Sequence, residues 1–484
     1  MNNYTKIIAT IGPASCHPDT IRKLIGAGIN ALRINMSHGD RSSQTEYIQH
    51  IRMLDENFPI LIDTKGPEIR TGKMIHNAMD VGVGSTLRLI ESGTQTQPDT
   101  IPVDYPHLAE IPIGTHILFD DGLVESEVVK QKGNALFVRV VNDGPIGTGK
   151  KVTIQGYRVQ LPFLTERDKQ DIRFAAEEKI RLMAVSFVRC ADDMKSLKSF
   201  LAGLGTTMML FSKIETSEAV ANLEEILEES DGIMVARGDL GVELPLQEVP
   251  EIQNRIIKQC NQAGKPVIVA TQMLESMREN ARPTRAEVND VAHAILQGAD
   301  AIMLSAETAT GKYPVRSVEM MRLISNQYEK QVSGIIKKYR RKEEVGRTGI
   351  AQYIAKAAYH ASEELGASAI LTPTESGFTA RNVSRFKPKC PILASTKDPI
   401  VVQLLHLVWG VFPRLDKAAT LDLNHYAMSY QLIEHYYKTG VLSEKDRIII
   451  ISGSNLMTKR GTNLLEVYSV KDIIEDGLNG KSDT

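Results

Sequence analysis

Charged and polar residues stand two positions apart at the ends of several short apolar runs. The sets are Lys213 with Glu215, Arg237 with Asp239, and Arg33 with Asn35 and Ser37. Side chains alternate across a β-strand, so residues two apart face the same side. If these sides line one cavity, it holds guanidinium, ammonium and carboxylate groups, and buried charges must pair or bind a ligand.

This mixture of charges suits an anionic, phosphorylated substrate held through a hard divalent cation. Mg²⁺ takes oxygen ligands from one or two carboxylates together with substrate oxygens, and Glu215 and Asp239 are the predicted pair. The alternative is that the same charges form internal salt bridges that tie one end of the fold together.

Eight short apolar runs are predicted to position these residues. They lie at 6–13, 31–38, 59–66, 181–188, 208–215, 232–240, 266–274 and 301–308. Helical patterns separate them, for example at 246–262, and Thr284 is predicted to cap the start of the next helix. Reactive groups at the carboxyl ends of successive buried strands indicate the active site of a (β/α)₈ TIM barrel, which is an α/β fold.

Two other segments break the barrel pattern, which covers residues 1–66 and 161–340. Residues 67–160 are rich in Gly, Asp and short β-branched runs, which predicts an inserted β-barrel lid domain. A lid after the third strand is expected to close over the site and exclude water; the alternative is a surface domain without that role. Residues 345–484 alternate strand and helix, which predicts an open-sheet α/β domain.

One segment of the predicted lid nearly matches a P-loop. Residues 144–151 follow the pattern G-x-x-x-x-G-K, but Lys151 stands where the motif needs a hydroxyl for Mg²⁺. The following residues, Val152–Ile154, are predicted to form a strand, whereas the motif needs a helix. We therefore reject a P-loop, although Lys150 is expected to reach a phosphate when the lid closes.

Bulk properties favour a soluble enzyme of the cytoplasm. The chain has 484 residues, a formal net charge of −2 and four widely spaced cysteines without metal-type spacing. No global positive field attracts nucleic acid, and a basic run at 337–342 is interpreted as a solvated helix end. The sequence shows neither a signal peptide nor a membrane-length apolar run, so we expect no membrane partner.

Several sequence blocks together resemble the pyruvate kinase family. They are Arg33–Gly39, Asp63–Arg70, Phe211–Glu215, Met234–Gly241 and Ala270–Leu274. The resemblance covers nearly the whole chain and implies a barrel A domain, a β lid called the B domain and a regulatory α/β C domain. It also implies phosphoryl transfer from phosphoenolpyruvate to ADP, which gives pyruvate and ATP in the last step of glycolysis.

The resemblance also implies a role for individual residues. By similarity, Glu215 and Asp239 hold Mg²⁺ (or Mn²⁺), and the backbone of Gly238 and Asp239 contacts substrate. Lys213 lies beside the travelling phosphoryl group, and Arg33 contacts phosphate from the opposite side. The implied nucleotide contacts are Asn35, Ser37, His38, Arg70 and Lys150. Thr271 is the implied site at which the enolate is protonated, through a water relay with Ser305 or Glu307.

The family further uses a monovalent cation. Its implied ligands are Asn35, Ser37, Asp63 and Thr64, all of which supply oxygen. Glu68 marks the K⁺-dependent branch of the family, whereas members with Lys at this position need no K⁺. The ion neutralises Glu68, and K⁺ activation is therefore expected.

The sequence departs from the family pattern at two places. Ala306 replaces the usual Gly in the block 303–308, which is expected to perturb the proton relay without abolishing it. In the lid hinge, residues 150–156 read Lys-Lys-Val-Thr-Ile-Gln-Gly instead of Lys-Gly-Val-Asn-Leu-Pro-Gly. Losing a Gly and a Pro changes the stiffness of a hinge, so altered lid motion is expected.

The C domain carries a candidate effector site for a phosphorylated ligand. Its residues are Thr372, Thr374, Ser376, Gly377 and Thr379, and the family often adds the loop that corresponds to 452–461. Hydroxyls and amides before a helix suit phosphate, although an ordinary capped helix is the alternative. The family is generally a homotetramer, and the same assembly is expected here.

Two other functions compete with this interpretation. An aldolase that works through a metal-bound pyruvate enolate would share the barrel and the carboxylates but would need neither the Lys213 position nor nucleotide contacts. A catalytically weak paralogue could act as a metabolite-sensing protein through its C domain. The intact set of Lys213, Glu215, Asp239 and Thr271 favours an active enzyme.

Overall fold

The protein is described from a computed structural model that covers residues 3–95, 97–340, 349–416, 425–453 and 461–479. The chain begins with three strands of a barrel and the helices between them. These are β1 (Lys6–Thr10), α1 (Pro18–Ala27), β2 (Ala31–Asn35), α2 (Arg41–Leu54) and β3 (Ile60–Asp63).

An all-β segment follows the third strand. Its strands are β4 (Ile69–Arg70), β5 (Ala78–Val81), β6 (Thr86–Glu91), β7 (Thr100–Val103), β8 (His116–Phe119), β9 (Val124–Lys132), β10 (Ala135–Val140), β11 (Gly144–Gly147) and β12 (Lys151–Ile154). They form a seven-stranded sheet in the order β4-β12-β8-β9-β10-β6-β7 and a two-stranded sheet, β11-β5. The near P-loop motif therefore leads from β11 into the strand β12, so no helix follows it.

The barrel then resumes with five strands and nine helices. These are α3 (Glu166–Glu177), β13 (Leu182–Val185), α4 (Ala191–Gly203), β14 (Met209–Ile214), α5 (Ser217–Ala221), α6 (Leu223–Glu229), β15 (Gly232–Ala236), α7 (Arg237–Glu243), α8 (Val249–Ala263), β16 (Val267–Ala270), α9 (Arg285–Gln297), β17 (Ala301–Leu304), α10 (Ala306–Ala309) and α11 (Pro314–Arg340).

The last part is an open sheet with helices. Its elements are α12 (Ile350–Leu365), β18 (Ala369–Pro373), α13 (Phe378–Ser384), β19 (Ile392–Thr396), α14 (Pro399–Leu405), β20 (Val411–Leu415), α15 (His425–Lys438), β21 (Arg447–Ser452), β22 (Leu464–Ser469) and α16 (Val470–Asn479). The strand order is β20-β19-β18-β21-β22, and only the edge strand β22 pairs antiparallel.

The predicted TIM barrel is confirmed. Eight parallel strands close in the order β1-β17-β16-β15-β14-β13-β3-β2. Strands such as β16 (Val267–Ala270) are apolar and completely buried, because the barrel interior covers one face and the outer helices cover the other. Thr284 caps α9 as predicted, and its capping box with Glu287 satisfies backbone N–H groups at the helix start.

All eight predicted runs extend past the strands that the structure describes, and two of them, 232–240 and 301–308, continue into the helices α7 and α10. The sequence predicts a single strand over 232–240, but β15 ends at Ala236 and α7 begins at Arg237. A turn into helix at the barrel mouth replaces the two-residue alternation, so Arg237 and Asp239 do not share a strand face. The predicted domain limits remain predictions.

Buried charges join the barrel to the C-terminal sheet at the amino ends of the barrel strands. Nζ of Lys6 in β1 donates to the carbonyl of Val411 at 2.6 Å. Asp300, just before β17, accepts from Nζ of Lys387 at 2.8 Å and from the backbone N–H of Trp409 at 3.1 Å. Both lysines are almost completely buried, so this junction is held by directional contacts. Among the helices of the described ranges, none has the length and apolar character needed to cross a bilayer.

Lys6 should make the stability of the protein depend on pH. Burial lowers the pKa of Lys6 from 10.5 to about 7, against the opposing effect of Glu329 and Asp300. Between these values the unfolded chain binds a proton that the folded protein lacks, so the free energy of unfolding rises with pH through this window. The slope from one such group reaches about 1.4 kcal/mol per pH unit.

Lys6→Met should flatten this rise, as measured by calorimetric unfolding at several pH values between about 7 and 10. Lys195→Met is the control, because Lys195 is exposed and pairs with its helix neighbour Asp192. An unchanged slope in Lys6→Met would contradict the assignment.

Candidate active site

A chain of alternating charges crosses the barrel mouth. Nε of Arg33 donates to Oδ2 of Asp63 at 2.6 Å, and Nζ of Lys213 lies 3.2 Å from Oδ1 of the same carboxylate. Lys213 also lies 2.8 Å from Oε1 of Glu215 and donates to Oγ of Ser186 at 2.7 Å. These side chains lie at the carboxyl ends of β2, β3, β13 and β14, which are neighbours in the barrel.

Burial and ion pairing have opposite effects on the pKa values of Asp63 and Lys213. Burial alone would raise the pKa of Asp63, but Arg33 and Lys213 outweigh it and hold that pKa below its usual range. Burial alone would lower the pKa of Lys213, but Asp63, Glu215 and Asp239 together raise it. Lys213 therefore stays a charged ammonium in a nearly water-free position. Lys213 and Glu215 lie on the same side, as the two-residue alternation predicts, and they form one of the internal salt bridges of the alternative interpretation.

Glu215 and Asp239 offer oxygen atoms for a divalent cation. Oε2 of Glu215 accepts from the backbone N–H of Phe187 at 2.7 Å, while Oε1 has no well-aligned hydrogen bond in the described structure. Burial raises the pKa of Glu215, and nearby Asp239 adds to this effect against the opposing Lys213. Within the described residues, no group of three or more His, Cys, Asp or Glu side chains is arranged so that it could hold a metal ion by itself. Two carboxylates plus substrate oxygens fit Mg²⁺, which commonly uses few protein ligands.

Asp239 is paired with a lysine that sequence reasoning did not assign. Oδ1 of Asp239 contacts Nζ of Lys151, which extends from β12. Burial alone would raise the pKa of Asp239, but Lys151 and Lys213 lower it. The neighbouring Lys150, the predicted nucleotide contact, instead pairs with Asp120 at 2.8 Å.

Thr271 lies at the end of β16 in a strained backbone. Both Thr271 and Gln272 have positive φ, 68° and 53°, which is unfavourable for residues with a side chain. Arg237 holds this turn: its NH2 donates to the Thr271 carbonyl at 2.6 Å, and its NH1 donates to Asp290 at 2.6 Å. Oγ1 of Thr271 accepts from the backbone N–H of Gly238 at 2.8 Å. Arg237 therefore faces away from Asp239 and positions Thr271.

The predicted K⁺ ligands come together on adjacent strands. Asn35 and Asp63 are register partners in β2 and β3, and Thr64 follows directly. Oδ1 of Asn35 accepts from the backbone N–H of Ser37 at 3.0 Å. Oγ1 of Thr64 accepts from the N–H of Ser186 at 3.1 Å. The cluster is rich in oxygen, as the prediction requires.

Glu68 and Arg70 contact each other. Oε2 of Glu68 accepts from NH2 of Arg70 at 2.6 Å and lies 3.6 Å from Nζ of Lys65. Arg70 also donates to the carbonyl of Gly149 at 2.7 Å. The charge of Glu68 is thus partly balanced by two cations of this chain. The predicted nucleotide contact His38 is exposed on the loop that leads to α2.

Glu307 accepts backbone hydrogen bonds near the mouth. Its Oε1 accepts from the N–H of Leu274 at 3.0 Å and its Oε2 from the N–H of Ser305 at 2.8 Å. Glu307 is completely buried, and burial raises its pKa. Oγ of Ser305 has no hydrogen-bond partner among the described residues. Ser305 and Glu307 therefore lie side by side beside the loop that follows Thr271.

A cleft of about 460 Å³ opens between β12 and the barrel. Its lining combines Glu215 and Asp239 with apolar and aromatic groups such as Ile154, Tyr157 and Phe187. Glu243 also lines it, and burial raises the pKa of this carboxyl to about 7. A cavity of this size suits a small-molecule ligand.

The whole chain is similar to known pyruvate kinases. The model of the pyruvate kinase barrel domain matches residues 2–318, and that of the pyruvate kinase alpha/beta domain matches residues 352–468. A pyruvate kinase of Sporosarcina psychrophila is 40% identical over 483 residues, which cover 98% of this chain and 81% of the relative. One of Geobacillus stearothermophilus is 41% identical over 487 residues, with 99% and 82% covered. The chain belongs to the pyruvate kinase family.

A solved structure agrees with this family assignment. A pyruvate kinase from Cryptosporidium parvum superimposes with a TM-score of 0.89 at 32% sequence identity, and the match covers 97% of this chain and 96% of the other. The resemblance drawn from the sequence blocks is therefore confirmed, together with the fold class and the transferase activity that pyruvate kinases share.

Sequence reasoning missed several residues of this pyruvate kinase site. Ser186 contacts Lys213 across 27 positions, and Asp290 contacts Arg237 across 53. The available signals are weak: Ser186 lies inside the apolar run 181–188, and Asp290 lies inside a helix pattern. The sequence singles out Lys151 only as the residue that breaks the P-loop motif and as a departure from the family hinge.

The predicted effector residues lie in the C-terminal part of the chain, from the end of β18 to the first turn of α13. Thr372 is completely buried, and its Oγ1 has no hydrogen-bond partner among the described residues. Thr379 shares a hydrogen bond with Thr462 at 2.7 Å, and Ser376 is exposed. Most of the loop that was expected to assist, residues 454–460, lies outside the described residues.

Asp63→Asn should destabilise the protein strongly. The change conserves shape but removes the anion between Arg33 and Lys213, so two buried cations lose their shared partner. Breaking a buried pair in this way costs about 3–5 kcal/mol. Calorimetric unfolding measures the loss, with Asp192→Asn as the control because Asp192 forms an exposed pair. Equal melting temperatures for the two variants would contradict the central role of Asp63.

Proposed function

We propose that this protein transfers the phosphoryl group of phosphoenolpyruvate to ADP at the barrel mouth. The observation that carries the proposal is the ammonium of Lys213, which is fixed by Asp63, Glu215 and Ser186 in a nearly dry position. A cation held in place where negative charge develops stabilises the transition state without reorganisation.

Lys213 and Arg33 are proposed to flank the phosphoryl group. The bond between phosphorus and the enol oxygen breaks, and a β-phosphate oxygen of ADP bonds to phosphorus. Both cations already have anionic partners, which orient them, and the carboxylates around Lys213 raise its pKa. The backbone N–H of Asp239 and the segment at Gly238 are proposed to contact the substrate beside them.

Glu215 and Asp239 are proposed to hold Mg²⁺ or Mn²⁺. When bound, the divalent cation would neutralise phosphate and carboxylate oxygens and help to orient them. Support comes from the cleft between β12 and the barrel, because both carboxylates line it.

Asn35, Ser37, Asp63 and Thr64 are proposed to hold K⁺. Support comes from their position on the adjacent strands β2 and β3 and from their oxygen donors. Glu68 lies close by with Arg70 and Lys65 as partners. We infer that a monovalent cation supplements these two partners and keeps the acidic charge from repelling anionic substrates.

Thr271 is proposed to act where the enolate accepts its proton at carbon. A hydroxyl is a weak acid, so Thr271 is proposed to orient a proton relay in which Ser305 or Glu307 takes part. Support comes from the Arg237 contact that fixes the strained Thr271 turn and from the buried Glu307, whose pKa is raised.

The nucleotide is proposed to bind at the edge of the cleft between β12 and the barrel, where the lining residue Glu68 contacts Arg70 and the lining residue Lys151 follows Lys150. Arg70 and Lys150 would bind its phosphates, and Asn35, Ser37 and His38 would contact it from the barrel side. In the structure Arg70 pairs with Glu68 and Lys150 pairs with Asp120, so each must exchange a protein partner for phosphate.

The C-terminal domain is proposed to bind a phosphorylated effector at Thr372, Thr374, Ser376, Gly377 and Thr379. The buried, unpartnered hydroxyl of Thr372 supports a polar ligand there. We further propose a homotetramer in the cytoplasm. The alternative function of a metabolite sensor with weak catalysis is not favoured, because the charged cluster at Lys213 is intact.

The protein should form ATP from phosphoenolpyruvate and ADP in the presence of Mg²⁺. Lys213→Met should lower kcat at least about 10²-fold, because it removes the fixed cation from the transferring group. A coupled assay of ATP or pyruvate formation measures this, and Lys198→Met is the surface control. Full activity in Lys213→Met would contradict the proposed role, and no activity in the unchanged protein would favour the sensor.

Activity should require K⁺, and Glu68→Lys should remove much of that requirement by supplying a fixed ammonium. The ratio of kcat/KM with and without K⁺, at constant ionic strength, measures the effect for each protein. Glu127→Lys, in the lid away from the mouth, is the control for added positive charge. Unreduced K⁺ dependence in Glu68→Lys would count against the assignment.

A further inference from the structure

The lid contacts α7 of the barrel through two side chains of one short segment, and Arg158 of the lid also pairs with Glu218 of α5 at 3.2 Å. Nζ of Lys151, the first residue of β12, pairs with Asp239, and Nε2 of Gln155 donates to the carbonyl of Val242 at 2.7 Å. Asp239 and Val242 both belong to α7. The two contacts lie four residues apart on the lid and three apart on the helix, so they fix β12 along α7.

The ammonium of Lys151 contacts one of the two carboxylates that are proposed to hold the metal. Its side chain is 14% exposed. Nζ lies 5.3 Å from the ring centroid of Phe187, whose backbone N–H holds Glu215 at 2.7 Å. Asp239 and Glu215 both attract this ammonium. In the structure, Lys151 therefore supplies positive charge beside both proposed metal ligands.

Lys151 and Gln155 are also two of the positions at which the hinge departs from the family pattern described above. The pattern has Gly and Pro at these positions, and neither side chain can form an ion pair or donate an amide hydrogen bond. The side chains that replace this Gly and this Pro therefore both contact α7. Because Asp239 is one of the contacted residues, the altered hinge touches the proposed metal site.

We propose that Lys151 and Gln155 fasten the lid to α7, and that the Lys151 ammonium competes with the divalent cation for Asp239. The inference rests on the proposed metal role of Asp239. An ammonium and a divalent cation repel each other at one carboxylate, so binding of the metal moves Lys151 away and weakens the attachment of β12. Lys151 is a positioning residue in this scheme, because it acts through Asp239 and the lid.

The test measures Mn²⁺ affinity in the absence of substrates, with free Mn²⁺ determined by electron paramagnetic resonance. Lys151→Met and Lys151→Gly should each bind Mn²⁺ roughly tenfold more tightly than the unchanged protein, because the competing charge is gone. Lys130→Met is the matched control: this exposed lid lysine lies over the ring of Phe137 at 5.9 Å. It should leave the affinity unchanged.

Hydrogen exchange of peptides from residues 151–158 and 237–243 measures how firmly the lid is attached to α7. Mn²⁺ should accelerate exchange of these peptides in the unchanged protein. In a Lys151→Met/Gln155→Ala variant, exchange should be fast already and respond little to Mn²⁺. Gln160→Ala is the control for the amide, since Gln160 bonds to Glu110 within the same region.

Asp239→Asn distinguishes the hypothesis that Asp239 binds the metal from the hypothesis that Lys151 competes with the metal for Asp239. If it abolishes Mn²⁺ binding while Lys151→Met and Lys151→Gly leave the affinity within twofold, the metal role stands and the competition by Lys151 is refuted. If Asp239→Asn retains full Mn²⁺ affinity, the metal assignment fails and the inference fails with it. Tighter binding in both Lys151 variants, lost on adding Asp239→Asn, supports the proposal.

Discussion

The Asp63 carboxylate between two cations is the constraint on which the site depends. Arg33 and Lys213 are both nearly buried, and burying a charged group is costly unless an anion lies close by. Asp63 satisfies both, because the barrel order makes β3 the neighbour of β2 and places β13 alone between β3 and β14. The closed barrel thus provides the adjacency, and the shared charge fixes the reactive side chains before any ligand binds.

Much of the fold could be predicted because it depends on local sequence. Each barrel strand is an apolar run bounded by polar residues, and burial on both faces leaves few other structures for such a run. The pair Lys213 and Glu215 was also predictable, since β14 continues to Ile214 and keeps the alternation almost to its end. At Arg237 the same argument failed, because the backbone turns into α7 one residue after Ala236.

The rest of the site depends on contacts between distant parts of the chain. Lys151 and Asp239 are 88 positions apart, and no periodicity links them. Asp290 stabilises the Thr271 turn through Arg237. It lies in α9, where the hydrophobic pattern predicts which residues face the core but not the contacts of the polar ones. Partners of this kind follow from how strands and lid come together in three dimensions, so a single sequence carries no direct signal for them.

The junction beneath the barrel has a mechanical consequence. Apolar surfaces can slide over one another at little cost, but the contacts of Lys6 with Val411 and of Lys387 with Asp300 are directional and shielded from water. A sliding motion would break them without offering new partners. The junction therefore resists sliding. A displacement of the C-terminal sheet is expected to move the amino ends of the barrel strands with it.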